Sequence, residues 1–322
     1  MRWLALVLIL PLLACDPRVI VSRTGSPQVQ PAATATGAVP SPTASTAPPK
    51  IALRPIPSIT PAARLLSSQQ SSDIPVAPRL SFLLTDDGRV ITQDIGGQLL
   101  QRKLTPTGAA TMALQAIQTG LFDKDASYGR EPVPGTTPPA RGPVFLILVV
   151  ANAGREVRVS FEPTGQPDDE QYQKSATREK LTALARGYED LSWVPANHWA
   201  EPSAQPYQPA FQRVFILAEP NVAAVPAPGT NPADADAIWP FLTPIDALGA
   251  PMPGTLWRCA VVIGDDARIL TEALTYNGFV RRDGPSVTAA LAWRASGSVR
   301  LLMTPLMPHE QPTCAGAVPP LF

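Results

Sequence analysis

The chain has 322 residues with 26 basic and 26 acidic side chains, so its formal net charge is zero. Only 16% of residues are charged, against roughly 25% in an average soluble domain, while proline occurs 39 times. A neutral chain with no basic run lacks the electrostatic footprint of a nucleic-acid binder. The repeats or long apolar runs of collagen, coiled coils and multi-span membrane proteins are missing too.

Met1 and Arg2 form a basic start, followed by the apolar run Trp3–Leu10 and by Pro11-Leu12-Leu13-Ala14-Cys15. The apolar stretch is shorter than the roughly 20 residues of a permanent membrane span, and it has the three regions of a secretory signal. Leu12-Leu13-Ala14-Cys15 resembles the bacterial lipobox. That resemblance, confined to residues 1–15, implies cleavage before Cys15, diacylation of its thiol and tethering to a membrane. Two acyl chains suffice for stable anchoring. Asp16 after the cysteine resembles the signal that keeps lipoproteins of two-membrane bacteria at the outer face of the cytoplasmic membrane.

Residues 15–77 are rich in Pro, Ala, Thr and Ser and show no apolar periodicity. They read as a disordered stalk with a reach of about 40 Å as a flexible coil. From residue 78 onward the pattern changes. Leu80–Thr85 and Arg89–Thr92 flank Asp86-Asp87-Gly88, a hairpin signal. Thr105 as N-cap and Pro106 at the first helical position predict a helix carrying Ala110, Ala113, Leu114, Ile117 and Leu121, stopped by Gly120. Val144–Val150 reads as a strand covered on both faces, turned by Asn152-Ala153-Gly154 into the alternating Glu156–Phe161. A second helix is expected from about Glu170 to Arg186.

The later part partly repeats this order. Phe211–Ala218 and Leu256–Ile263 read as strands. Asp265 or Asp266 caps a helix bearing Ile269, Leu270, Ala273 and Leu274 that stops at Asn277-Gly278, and a hairpin turns about Ser296-Gly297. The fold class is therefore α+β, a mostly antiparallel sheet with a few packed helices. The parallel between Gly120-Leu121-Phe122 and Gly278-Phe279-Val280 invites a duplicated hairpin–helix–hairpin unit; chance alternation accounts for it equally well. The organisation reads as a signal peptide over 1–14, a lipidated cysteine and stalk over 15–77, and α+β halves over 78–205 and 206–322, which form one domain or two.

With Cys15 lipidated, Cys259 and Cys314 remain, and two cysteines in an oxidising compartment are expected to pair. Catalytic signatures are absent: the chain has two histidines, His198 and His309, and no Gly-x-Ser-x-Gly, His-Glu-x-x-His, phosphate loop or dinucleotide fingerprint. Asp86-Asp87, Asp168-Asp169-Glu170 and Asp265-Asp266 stand where carboxylates serve turns and helix N-termini. No catalytic residue, metal ligand or cofactor is assigned. Trp193, His198, Trp199 and Tyr207 lie in one proline-interrupted stretch. They either form an exposed platform for a sugar ring or protein partner, or fold inward to close the seam between the halves.

Thr85-Asp86-Asp87-Gly88-Arg89-Val90, Leu104-Thr105-Pro106, Gly120-Leu121-Phe122, Arg258-Cys259-Ala260-Val261-Val262 and Thr304-Pro305-Leu306-Met307-Pro308 resemble segments of secreted bacterial proteins of unassigned function, a likeness that implies no activity. The leading expectation is a non-catalytic, extracytoplasmic lipoprotein, held to the membrane by its anchor, with a binding or scaffolding role toward envelope polysaccharide or a surface protein. The alternatives are a hydrolase with His198 as general base and an inhibitor of a secreted enzyme presenting residues 128–142.

Overall fold

The computed structural model describes residues 49–72, 79–94, 96–137, 144–219, 221, 234–276, 280–283, 285–293 and 297–318. Cys15 with its lipobox, the expected stalk up to residue 48, the Asn277-Gly278 helix stop, Ser296 and residues 138–142 of the expected inhibitory loop lie outside the described residues.

The first sheet has eight strands in the order β5-β7-β6-β1-β2-β3-β4-β8. They are β1 (Arg64–Ser72), β2 (Arg79–Thr85), β3 (Arg89–Gln93), β4 (Leu99–Lys103), β5 (Ala126–Tyr128), β6 (Val144–Asn152), β7 (Arg155–Phe161) and β8 (Gln205–Pro206). All neighbours are antiparallel except β5 and β7. Helices α1 (Pro106–Gln118) and α2 (Ala176–Asp190) share one apolar core on this sheet, where Ala109, Met112, Leu181 and Tyr188 meet Leu66, Phe82, Leu148 and Val159. Thr105 caps α1 as the sequence predicts, its hydroxyl accepting from the Gly108 N–H at 3.1 Å.

Two expectations are corrected here. The stalk assigned to 15–77 is ordered from 49 to 72, and its Arg64–Ser72 segment is β1, an interior strand between β2 and β6. Composition hid it because, after Leu65 and Leu66, its residues are serines and glutamines. Ser67 and Ser68 are fully buried, opposite Leu83 and Val149 and opposite Phe82 and Leu148. At these two positions the apolar surroundings come from the neighbouring strands. The second helix starts at Ala176 and not at Glu170, because Ser175 caps it, accepting from the Arg178 N–H at 3.3 Å. The acidic run before it is drawn aside: Asp168 takes the Arg130 guanidinium at 2.8 Å, and residues 169–171 make only a single 3₁₀ turn.

The second sheet runs β10-β11-β9-β14-β13-β12. Its strands are β9 (Phe211–Glu219), β10 (Ala250–Pro251), β11 (Trp257–Ile263), β12 (Val280–Asp283), β13 (Ser286–Trp293) and β14 (Gly297–Pro305), all antiparallel. Short α3 (Ala235–Ile238) and α4 (Gly264–Tyr276) cover one face, with Trp239, Phe241, Leu270 and Leu274 packed on Val214, Ile216, Leu291 and Leu301. The opposite face is covered by the C-terminal tail, held by the Cys259–Cys314 disulfide and by Arg213 bonding Glu310 at 2.8 Å.

Both sheets place four strands alike, a central strand (β1 or β9) with a later one (β2 or β11) on one side and two more on the other. They differ in order of entry. After the intervening helix, the chain takes the inner position first in one sheet (β6, then β7) and the outer first in the other (β13, then β14). A simple duplication would keep one order, so the likeness is one of layout.

The change of sheet falls between Pro206, the last residue of β8, and Phe211, the first of β9. The sheets nonetheless belong to one compact unit, Ala47–Phe322; the other division of the chain, Met1–Thr46, lies outside the described residues. Residues 49–62 form a strap on the second half. The Ile51 N–H donates to the Pro240 carbonyl and its own carbonyl accepts from Leu242, both at 2.8 Å, and Leu53 packs on the second core. The chain thus enters through the second half, builds the first and returns.

Candidate functional site

An open cleft of about 1250 Å³ lies where the two sheets meet. Arg54, Pro55 and Pro57 of the strap form one wall, and Gly96, Gln98 and Leu99 of the β3–β4 hairpin another. The linker Pro206–Gln212 and the first turns of α4, with Asp265, Arg268 and Glu272, complete it.

The strap is placed by charge. Asp266 in the first turn of α4 is fully buried, and its carboxylate accepts from the Arg54 backbone N–H at 2.9 Å and from Arg54 Nε at 2.8 Å. Arg54 Nη1 also reaches Asp265 at 2.9 Å. These two carboxylates hold the Arg54 guanidinium above its ordinary pKa. One turn on, Arg268 bonds Glu272 at 2.7 Å, an i,i+4 pair that likewise holds Arg268 above its usual value. The acidic pair expected to cap α4 thus stands in its first turn and binds the strap.

The linker is placed by close approach. The Gly264 N–H donates to the Ala210 carbonyl at 2.8 Å, and a Cβ on Gly264 would stand 2.4 Å from the Pro209 carbonyl oxygen. Only glycine lets α4 begin that close to the linker. Next to it, Tyr207 is buried among Leu83, Ile91 and Leu99 of the first half, and its hydroxyl donates to the Leu306 carbonyl of the second at 2.9 Å. Burial pushes the Tyr207 phenol well above its ordinary pKa, so it stays protonated and acts as a pin between the halves.

Of the four residues singled out between 193 and 207, Trp199 and Tyr207 belong to different apolar clusters. Trp199 packs against the first core with Arg102 over its ring at 4.0 Å, and its neighbour Leu104 bridges to it from the end of β4. Trp193 is 37% exposed, and its indole N–H donates to the Gly187 carbonyl at the end of α2 at 2.7 Å. His198 is half-buried and holds the start of α1 by its backbone, its carbonyl accepting from the Thr105 N–H at 2.8 Å. Tyr207 sits in a separate cluster and is the one member of the four that lines the cleft. Cys259 and Cys314 are joined, with Cα atoms 6.0 Å apart.

A second, smaller pocket of about 310 Å³ gathers Asp87, Arg89, Gln101, Arg102, Lys103 and Glu201. Asp87 and Arg89 pair with each other at 2.6 Å, and Arg102 is occupied by the Glu201 and Pro202 carbonyls. Among the described residues no group of three or more His, Cys, Asp and Glu side chains stands together as a metal site, and no helix is long and apolar enough to cross a membrane.

Sequence reasoning missed the cleft-lining residues Arg54, Gln98, Gln208, Gln212, Arg268 and Glu272. Arg54 fell inside the expected stalk, and lone glutamines carry no pattern. The i,i+4 spacing of Arg268 and Glu272 was the one available signal. Comparisons with protein-family models, curated proteins and solved structures return no match, so the site stands on its own geometry.

Proposed function

We propose that the chain is a lipid-anchored, extracytoplasmic binding protein whose ligand occupies the cleft between its two halves. The cleft carries this reading, being a large concavity with preset walls: one strapped by Arg54 to a buried Asp266, one pinned by Tyr207, and one set by the Gly264 contact. The lipobox-like Leu12-Leu13-Ala14-Cys15 and the Pro/Ala/Thr/Ser-rich segment after it support the tether. A tethered head with a rigid cleft suits capture or scaffolding of an envelope component at the outer face of the cytoplasmic membrane.

The test uses the full chain in lipid nanodiscs, mixed with envelope fractions of a producing cell, beside a Gln208→Trp variant that fills the cleft from an exposed position. Retention of an envelope component by the native chain, lost in Gln208→Trp at unchanged melting temperature, is the expected result. Retention that ignores the plug overturns the cleft as the site. Incorporation of labelled fatty acid, abolished by Cys15→Ser, checks the anchor.

A further inference from the structure

Resting on the reading of the cleft as a binding site, we infer that its ligand is an uncharged, polyhydroxylated chain, a neutral saccharide of several units. The first observation is charge. The charged groups lining the cleft are already paired with protein, Arg54 with Asp265 at 2.9 Å and with Asp266 at 2.7 Å, and Arg268 with Glu272 at 2.7 Å. A charged ligand finds no unmatched partner there and would have to break an existing pair. The cleft selects for neutrality.

The second observation concerns the backbone. Pro55, Pro57, Pro206, Pro209, Pro285 and Pro305 all line the cleft. None offers a backbone N–H, so these six positions present only carbonyl oxygens and ring faces. An extended peptide that binds by strand addition needs alternating N–H and C=O groups along an edge. These walls do not supply that ladder, which disfavours a peptide ligand.

The third observation is what remains to recognise a ligand. Gln98, Gln208 and Gln212 line the cleft, the first two exposed and the third half-buried. Each carboxamide offers both donors and an acceptor. A sugar hydroxyl is also donor and acceptor at once, so amide and hydroxyl match without any charge. Size agrees with this choice. At about 1250 Å³ the open cleft exceeds the roughly 300–1,000 Å³ of small-molecule sites, room for more than one sugar ring.

The experiment is calorimetric titration of the full chain in nanodiscs with three kinds of probe. These are neutral hexasaccharides built on glucose, mannose and N-acetylglucosamine, an oligomeric hexuronate of six units, and a short uncharged extended peptide. We expect at least one neutral hexasaccharide to bind, the hexuronate and the peptide to fail, and Gln98→Leu/Gln208→Leu/Gln212→Leu to weaken binding by about tenfold or more at unchanged melting temperature. Binding of the hexuronate or peptide in their place, abolished by Gln208→Trp, overturns the ligand class and leaves the cleft standing as a site. Failure of all neutral hexasaccharides, or binding that is indifferent to the triple variant, also overturns the inference. If Gln208→Trp also leaves envelope retention untouched, the reading of the cleft falls with it.

Discussion

Arg54 and Asp266, 212 residues apart in the chain, are joined through both backbone and side chain, with one carboxylate oxygen taking the amide and the other the guanidinium. Asp266 is fully buried while Arg54 faces the cleft rim, so the pair fastens the strap to α4 at one defined place. Asp266→Ala removes the acceptor of the Arg54 amide and is expected to cost about 1–3 kcal/mol. If Arg54 serves mainly as partner to this carboxylate, Arg54→Ala also destabilises, yet adding it to Asp266→Ala costs little more. A double-mutant cycle by denaturant unfolding measures this. Additive losses would show that the two residues act independently.

The Cys259–Cys314 disulfide closes a 55-residue separation and lays the C-terminal tail over Phe215, Trp257 and Leu302. The chain-entropy model values such a loop at roughly 4 kcal/mol. Replacing both cysteines by serine is expected to lower stability by about 2–5 kcal/mol and to release the tail first. Hydrogen exchange should then rise in residues 306–318 before it rises in β9. Simultaneous opening of tail and sheet would mean that Arg213–Glu310 and the apolar contacts already hold the tail without the disulfide.

His309 in that tail is half-buried, with Nδ1 lacking a hydrogen-bond partner, and it faces the Arg64–Glu156 pair across from β1 and β7 and Glu310 beside it. Burial, reinforced by the Arg64 charge, lowers its pKa, and Glu310 and Glu156 offset this only in part. A histidine with a depressed folded-state pKa contributes no pH dependence while both states are neutral. Below its unfolded value of about 6.5 the unfolded chain gains the proton first, so stability falls as pH drops. Glu156 is held low by its hydrogen bond to Arg64 and stays ionised through this window. The melting temperature of the native protein should therefore decline between about pH 7 and pH 5, and the decline should shrink in His309→Gln. An identical pH profile in the variant would sink this assignment.

Much of the frame was legible because local chemistry and tertiary packing agree. Asp86-Asp87-Gly88 makes the turn it spells, with Gly88 at φ 80°, and Thr105-Pro106 starts α1 where the cap and the fixed φ place it. Cys259 and Cys314, the two cysteines left after Cys15, are paired as the cysteine count and an expected oxidising compartment suggest. What stayed hidden depends on neighbours distant in sequence. Ser67 and Ser68 become core only because β2 and β6 enclose them, and Arg54 acquires meaning only from Asp266. For the aromatic residues of 193–207, adjacency in sequence left an exposed platform and an inward fold both open, and Trp199 and Tyr207 belong to different apolar clusters.

Two glycines at helix starts separate stability from binding. A Cβ on Gly108 would meet the His198 carbonyl oxygen at 2.6 Å, and one on Gly264 would meet the Pro209 carbonyl oxygen at 2.4 Å. Both obstacles are backbone, so the helix must shift in either case, at an expected cost of about 1–3 kcal/mol for each Gly→Ala change. The consequences differ by place. Gly108 docks α1 on the 196–198 turn, away from the cleft, whereas Gly264 and Pro209 both line it. Gly264→Ala should therefore push α4 from the linker, separate Arg268 from the Gln208 and Gln212 wall and weaken retention of the envelope component. Gly108→Ala should cost similar stability and leave retention intact. Thermal melts and nanodisc retention on both variants decide the matter. Equal loss of retention in the two would mean that binding tracks global stability and not the geometry of the cleft.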